Sequence, residues 1–229
     1  MKRFLFALAV CGIVAAAQTA MASLMVTNGD FEADPVQTIN VTDWYDTVTV
    51  NTSNWWETTW AGPNVSPDGT PVLGLSYMFD TTNWAYQSIG TNDSGALTLA
   101  LKYDVGSFTD AGGDRDLGVV FSVYQNDGAT GMDDNVDLAG LSGATLLDSV
   151  TTFTGAIGAG VMLTDQMVLL DISGSAGKEL FLRLENAVGT VGQPWTAVDN
   201  IRIAPEPASL ALVGLGGLAL LAVSRRRDD

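Results

Sequence analysis

Apolar and polar residues alternate one by one through the middle of the chain. Leu97, Leu99, Leu101 and Tyr103 alternate with Thr98, Ala100 and Lys102. The same period recurs in Leu117, Val119, Phe121 and Val123, in Val168, Leu170 and Ile172, and in Leu180, Leu182 and Leu184. A period of two puts every second side chain on one face of a pleated strand, so each row predicts a strand with one face turned to a core. Turn formers separate the rows: Asn92-Asp93-Ser94-Gly95, Asp110 to Asp114, Asn126-Asp127-Gly128, and Ser173 to Gly177. These residues tolerate positive φ or hydrogen-bond their own backbone. No long 3.6-residue stripe runs through this region. About nine or ten short strands between turns predict an all-β fold, an antiparallel β-sandwich.

The two ends break the pattern. Lys2 and Arg3 precede a nearly continuous apolar stretch, Phe4 to Ala17, and Ala20-Met21-Ala22 supplies the small residues a signal peptidase requires. Residues 1–22 therefore read as a signal peptide handled by signal peptidase and the secretion machinery. A second uncharged apolar block, Ala208 to Val223, is followed at once by Arg225, Arg226 and Arg227. It is short for a membrane span, which takes about 20 residues, but arginines on the cytoplasmic side would hold it as a transmembrane helix. Between the ends, residues 23–204 suit one domain with a sizeable core.

Charge sharpens this division. The ends hold five of the 10 basic residues and three of the 26 acidic ones, leaving five basic and 23 acidic residues in the domain. Such a surface repels nucleic acid and attracts cations. The chain has no histidine, and its one cysteine, Cys11, lies in the signal peptide. The domain thus lacks a disulfide, a thiolate nucleophile and an imidazole base, which excludes zinc sites, cysteine–histidine proteases and Ser-His-Asp triads. Oxygen ligands remain, and they suit calcium.

The C-terminal segment joins Pro205-Glu206-Pro207, the apolar block and Arg225-Arg226-Arg227 in that order. It resembles the PEP-CTERM sorting signal. The prolines keep the Pro-Glu-Pro stretch extended and unpaired, as a protease at the membrane face requires. The resemblance implies processing by an exosortase, an inner-membrane intermediate, and release to the cell surface or beyond, in a system associated with exopolysaccharide. An ordinary C-terminal anchor is the alternative for the same residues.

Thr27-Asn28-Gly29-Asp30-Phe31-Glu32 near the start and Ala197-Val198-Asp199-Asn200-Ile201-Arg202-Ile203 near the end, with Trp84 to Ile89 between them, resemble the galactose-binding-like jelly rolls found among carbohydrate-binding modules. In those families the first and last strands lie together and a calcium ion often ties them. The resemblance implies Asp30, Glu32 and Asp199 as calcium ligands. Read as residues alone, Asp30 is equally a turn residue, Glu32 a solvated one and Asp199 a strand-end cap. Asp114-Arg115-Asp116 and Asp133-Asp134-Asn135-Val136-Asp137 lack EF-hand spacing and read as solvated loops.

Trp55, Trp56 and Trp60 sit close together, with Trp84 and Tyr86 further on. In an extended segment Trp56 and Trp60 share a face and Trp55 takes the other. An exposed indole stacks on a sugar ring; a buried one builds core. Both readings are open for each tryptophan. Three classes of function follow: a non-catalytic surface or matrix protein binding polysaccharide, a glycan-acting hydrolase, and a purely structural surface protein. With no histidine, no cysteine in the domain and no carboxylate pair marked out, the expectation is a protein that is not an enzyme.

Overall fold

The computed structural model describes residues 24–33, 41–46, 72–75, 77–78, 81–82, 84–107, 114–187 and 196–204. The terminal signals and Trp55, Trp56 and Trp60 lie outside the described residues. Among those described, no helix is long and apolar enough to cross a membrane.

Among the described residues eleven strands form: β1 (Tyr45–Asp46), β2 (Leu73–Leu75), β3 (Tyr77–Met78), β4 (Thr81–Thr82), β5 (Trp84–Thr91), β6 (Thr98–Ser107), β7 (Arg115–Asn126), β8 (Ala144–Ile157), β9 (Met162–Asp171), β10 (Glu179–Ala187) and β11 (Thr196–Ile203). They make a five-stranded sheet of order β1-β5-β10-β7-β8, a four-stranded sheet of order β2-β11-β6-β9, and a small β3–β4 pair. Every pairing is antiparallel. The chain crosses repeatedly between the two larger sheets, and the expected antiparallel β-sandwich of jelly-roll type is what folds.

The alternating rows become the core. Val119, Phe121 and Val123 of β7, and Leu180, Leu182 and Leu184 of β10, point inward and are buried against Leu99, Leu101, Val168 and Leu170 of the other sheet; Leu117 is buried as well. The Tyr103 and Phe121 rings meet across the interface at 4.5 Å, and Tyr103 Oη donates to Thr152 Oγ1 at 3.0 Å. Burial raises the Tyr103 pKa above its ordinary value. Leu97 departs from its row: it precedes β6 and is 65% exposed. Two of the expected turns dock on each other. Asn92 is buried, donates to Ala96 O and Ser175 Oγ, each at 2.9 Å, and accepts Gly177 N–H through its carbonyl at 2.9 Å.

The first described segment stitches the sheets together. Met25 N–H donates to Ile89 O of β5 at 2.8 Å, and Ile201 N–H of β11 donates to Gly29 O at 2.8 Å. Gln87 supports the crossing by accepting from Thr27 N–H at 2.9 Å and donating to Thr27 O at 3.0 Å. The beginning and end of the domain therefore lie side by side, as the jelly-roll resemblance implies.

Candidate ligand-binding face

The outward side of the five-stranded sheet carries residues of the opposite parity to the core rows. These are Trp84 and Tyr86 on β5, Phe181, Arg183 and Glu185 on β10, and Ser122 and Tyr124 on β7. In register, Arg183 lies between Tyr86 and Ser122, and Glu185 between Trp84 and Val120. The aromatic rings cluster: Trp84 and Tyr86 centroids are 5.5 Å apart, Tyr45 and Tyr86 5.1 Å, and Tyr86 meets Phe181 edge-on at 6.3 Å. Leu138 is buried with them, and Met132, Leu141 and Ala144 pack alongside. The connection between β7 and β8 thus folds back over the sheet and closes a second, smaller core. Burial raises the Tyr86 pKa to about 12 and raises that of Tyr124 as well.

Arg183 ties that connection down. Its side chain is 5% exposed. Nε donates to Asp137 Oδ1 at 2.9 Å and Nη2 to Asp137 Oδ2 at 3.0 Å, while Nη1 donates to Glu185 Oε2. Burial alone pulls the guanidinium pKa down, but its hydrogen bonds to the two carboxylates outweigh it and raise it. Asp137 also caps a 3₁₀ turn, Leu138–Gly140, by accepting from Ala139 N–H at 2.9 Å. The acidic 133–137 run is therefore an anchor and not a solvated loop. Its upstream half holds β1: Asp46 N–H donates to Asp134 Oδ1 at 3.3 Å, and Asn135 N–H to Asp46 O at 2.9 Å. The Asp46 carboxyl is fully buried. Oδ2 accepts from Val41 N–H at 3.2 Å, and Oδ1 has no hydrogen-bond partner among the described residues. Burial, reinforced by nearby Asp134, lifts its pKa to about 7.

What this face offers to solvent is limited and polar. Tyr45, whose ring lies tilted against Tyr86, is 37% exposed. Asp137 and Glu185 remain partly open beside the guanidinium, their side chains 36% and 24% exposed. Two carboxylates fixed by one buried cation, beside an aromatic face, can accept hydrogen bonds from hydroxyl groups and cover an apolar ring face.

The residues expected to bind calcium differ in exposure. Asp30 and Glu32 are exposed on the first segment, where Asp30 Oδ1 accepts from Glu32 N–H at 3.4 Å. Asp199 is buried in β11, and its Oδ1 accepts from Asn200 N–H at 2.7 Å. Among the described residues no three acidic side chains converge as a metal-ligand set. Asp30 instead lines a cavity of about 260 Å³ with Asn28, Gly29, Asn200 and Arg202. Buried Asp104 faces Asp199 across the ladder. It bonds to two adjacent bulges, accepting Asp165 N–H at 2.7 Å through Oδ1 and Asn200 Nδ2 at 2.9 Å through Oδ2. Sequence reasoning missed both this link and Arg183. The available signal for each was a charged residue inside a strongly alternating strand.

Fold and face together define an antiparallel β-sandwich protein. Its last described residue, Ala204, opens a match over residues 204–227 to the PEP-CTERM protein-sorting motif, which marks an exported chain processed at the membrane. No curated protein matches the chain. Solved structures similar to it include the enzymatically active domain of tailspike protein 4 of bacteriophage CBA120, at 12% identity and TM-score 0.46, with 78% of this chain and 21% of that one covered. The K3 cleaved adhesin domain of Lys-gingipain from Porphyromonas gingivalis W83 is similar at 16% identity and TM-score 0.45, covering 79% and 98%. The carbohydrate-binding module TmCBM61, solved in complex with beta-1,4-galactotriose, is similar at 10% identity and TM-score 0.41, covering 79% and 97%.

Proposed function

We propose that the chain is a non-catalytic protein of the cell surface or extracellular matrix, processed by an exosortase at its C-terminal motif, whose sandwich binds neutral polysaccharide. The observation that carries the binding reading is the fork of Arg183 between Asp137 and Glu185, on the same sheet face as the Tyr45 ring and separated from it by Tyr86. The fork holds two carboxylates in fixed positions as acceptors for hydroxyl hydrogens, and the ring supplies a stacking surface. An excess of acidic over basic residues favours neutral over acidic glycans. Support for a non-catalytic role comes from the placement of Asp46. This carboxyl titrates near neutrality, as a general acid must, but it is sealed from solvent beneath the 133–137 loop. Trp56 and Trp60 are further candidates from the sequence.

Affinity electrophoresis against a polysaccharide panel that includes the host's own matrix tests this reading. At least one neutral polymer should retard the protein. Tyr45→Ala and Glu185→Gln should each weaken retardation by roughly fivefold, the worth of about 1 kcal/mol for a stacked ring or a hydrogen bond; Trp56→Ala and Trp60→Ala extend the test. If no polymer retards the wild type, the binding reading fails and a structural surface protein takes its place.

A further inference from the structure

The two sides of the sandwich end differently. On one side the outermost strands among the described residues are β1, with two residues, and β2, with three. The 133–137 loop hydrogen-bonds to Asp46 of β1, and every residue of β2 is buried. On the other side the outermost strands among the described residues are β8, with 14 residues, and β9, with 10. A long outer strand presents rows of N–H and C=O groups that pair readily with another chain, and proteins blunt such edges with short strands, charges, proline or bulges. The first side follows that rule.

β8 follows it only at its ends. Its two register shifts against β7 lie outside the stretch Ser149–Phe153, which runs in unbroken register with Ser122 back to Gly118. This stretch contains no proline, and from Ser149 to Ile157 there is no ionisable side chain, in a chain of net charge −16. Ser149, Thr151 and Phe153 are exposed, Phe153 at 54%. Just before the stretch, Asp148 Oδ2 accepts from Asp171 N–H at 2.8 Å, which fixes β8 to the end of β9, and Oδ1 accepts from Ser149 N–H at 2.8 Å, so the open part of the edge is Val150–Phe153.

We infer that this edge docks a second copy of the same chain, with β8 pairing antiparallel to β8 across a two-fold axis. Charge selects the occupant. Two copies of so acidic a protein repel over most of their surfaces, but they meet without an ion at this seam. Symmetry supports it, because antiparallel pairing of a strand with itself is two-fold and self-complementary, and β-branched Val150, Thr151 and Thr152 suit a pleated seam. Closure supports it as well. The opposite edge is short and partly covered, so pairing ends at a dimer and does not grow into a fibre. The product is one continuous sheet made from the two five-stranded sheets.

The test uses the full chain carrying Cys11→Ser, in a mild non-denaturing detergent. Sedimentation should show a monomer–dimer equilibrium. Thr151→Glu with Phe153→Glu should weaken it by at least about tenfold, because like charges across an antiparallel pair oppose pairing, while the circular-dichroism spectrum of the folded monomer should be kept. With no other cysteine in the background, Thr151→Cys should form a disulfide-linked dimer under mild oxidation, while exposed Ala139→Cys should not. A wild type that stays monomeric at every concentration overturns the inference. So does a double-Glu variant that dimerises as the wild type does, or equal cross-linking at both cysteine positions.

Discussion

Arg183 grips Asp137 through two parallel hydrogen bonds, joining β10 to a residue 46 positions earlier in the chain. The guanidinium is buried while Asp137 is part-exposed, so the two partners are not equivalent. Removing Asp137 leaves the buried cation with Glu185 alone. Removing the cation leaves carboxylates that water can reach. Asp137→Ala should therefore destabilise the fold by about 2–4 kcal/mol, and Arg183→Met, which fills similar space without charge, by less. Urea unfolding of both variants checks the order; a larger loss for Arg183→Met would contradict it.

Asp46 makes stability depend on pH in a direction unusual for a carboxylate. Its pKa rises from 3.8 to about 7 on folding, so the folded state holds the proton more tightly. Stability from this group is full below pH 4 and is lost as pH climbs through 7. The wild type should lose on the order of 1–3 kcal/mol across that window through this carboxyl, and Asp46→Asn should flatten the slope. Asp127 does not confuse the window. Hydrogen bonds, first from Lys178, hold its pKa at about 2, so its contribution fades only in stronger acid. Chemical unfolding from pH 4 to 8 reads the difference; equal slopes in wild type and Asp46→Asn would contradict the assignment.

Gly29 marks the meeting of the domain's two ends. A Cβ built there would lie 2.1 Å from Ile201 O and 3.0 Å from Val26 Cγ1. Gly29→Ala must push the first segment off β11 and should cost about 1–3 kcal/mol. Gly140→Ala, where nothing lies within 4 Å, serves as the neutral control. Thermal melts of the pair decide it.

Calcium addresses the same junction. Asp30 and Glu32 are exposed while Asp199 is buried and committed to Asn200 N–H. The calcium ligands that the jelly-roll resemblance implies predict a melting temperature higher in calcium than in chelator. A ligand at 100 times its dissociation constant would add about 2.7 kcal/mol and give a clear rise. Such a rise, abolished in Asp30→Ala, would establish the calcium site, and equal melting would count against it.

The core was legible because β7 and β10 obey a period of two without exception over their inward residues: Leu117, Val119, Phe121, Val123, Leu180, Leu182 and Leu184 are all fully buried. The outward face was not. Trp84, Tyr86, Tyr124 and Phe181 have the parity of solvent-facing positions, and alternation says nothing about a connection folding back over them. Their aromatic character was the one hint that something covers them. The acidic 133–137 run looked solvated for a related reason, since its partner Arg183 is distant in sequence. Leu97 failed because alternation continues one residue past the point where β6 starts. The paired ends were legible from the Asn28–Glu32 and Asp199–Ile203 segments, whose φ-positive Asn28 and Asn200 mark the bends at the contact.

The placement of β11 also has a mechanical consequence. The strand lies between β2 and β6, and its ladder runs to within one residue of Ala204, whose N–H bonds to Ala100 O at 2.8 Å. Tension applied to the chain beyond that residue pulls β11 lengthwise between two neighbours. The hydrogen bonds on both flanks then share the load in shear and must yield together, whereas an outermost strand would peel away one bond at a time. A sandwich tethered by its C-terminal segment is thus held by one of its better-braced strands, and severing the chain past Ala204 removes the tether without removing a rung.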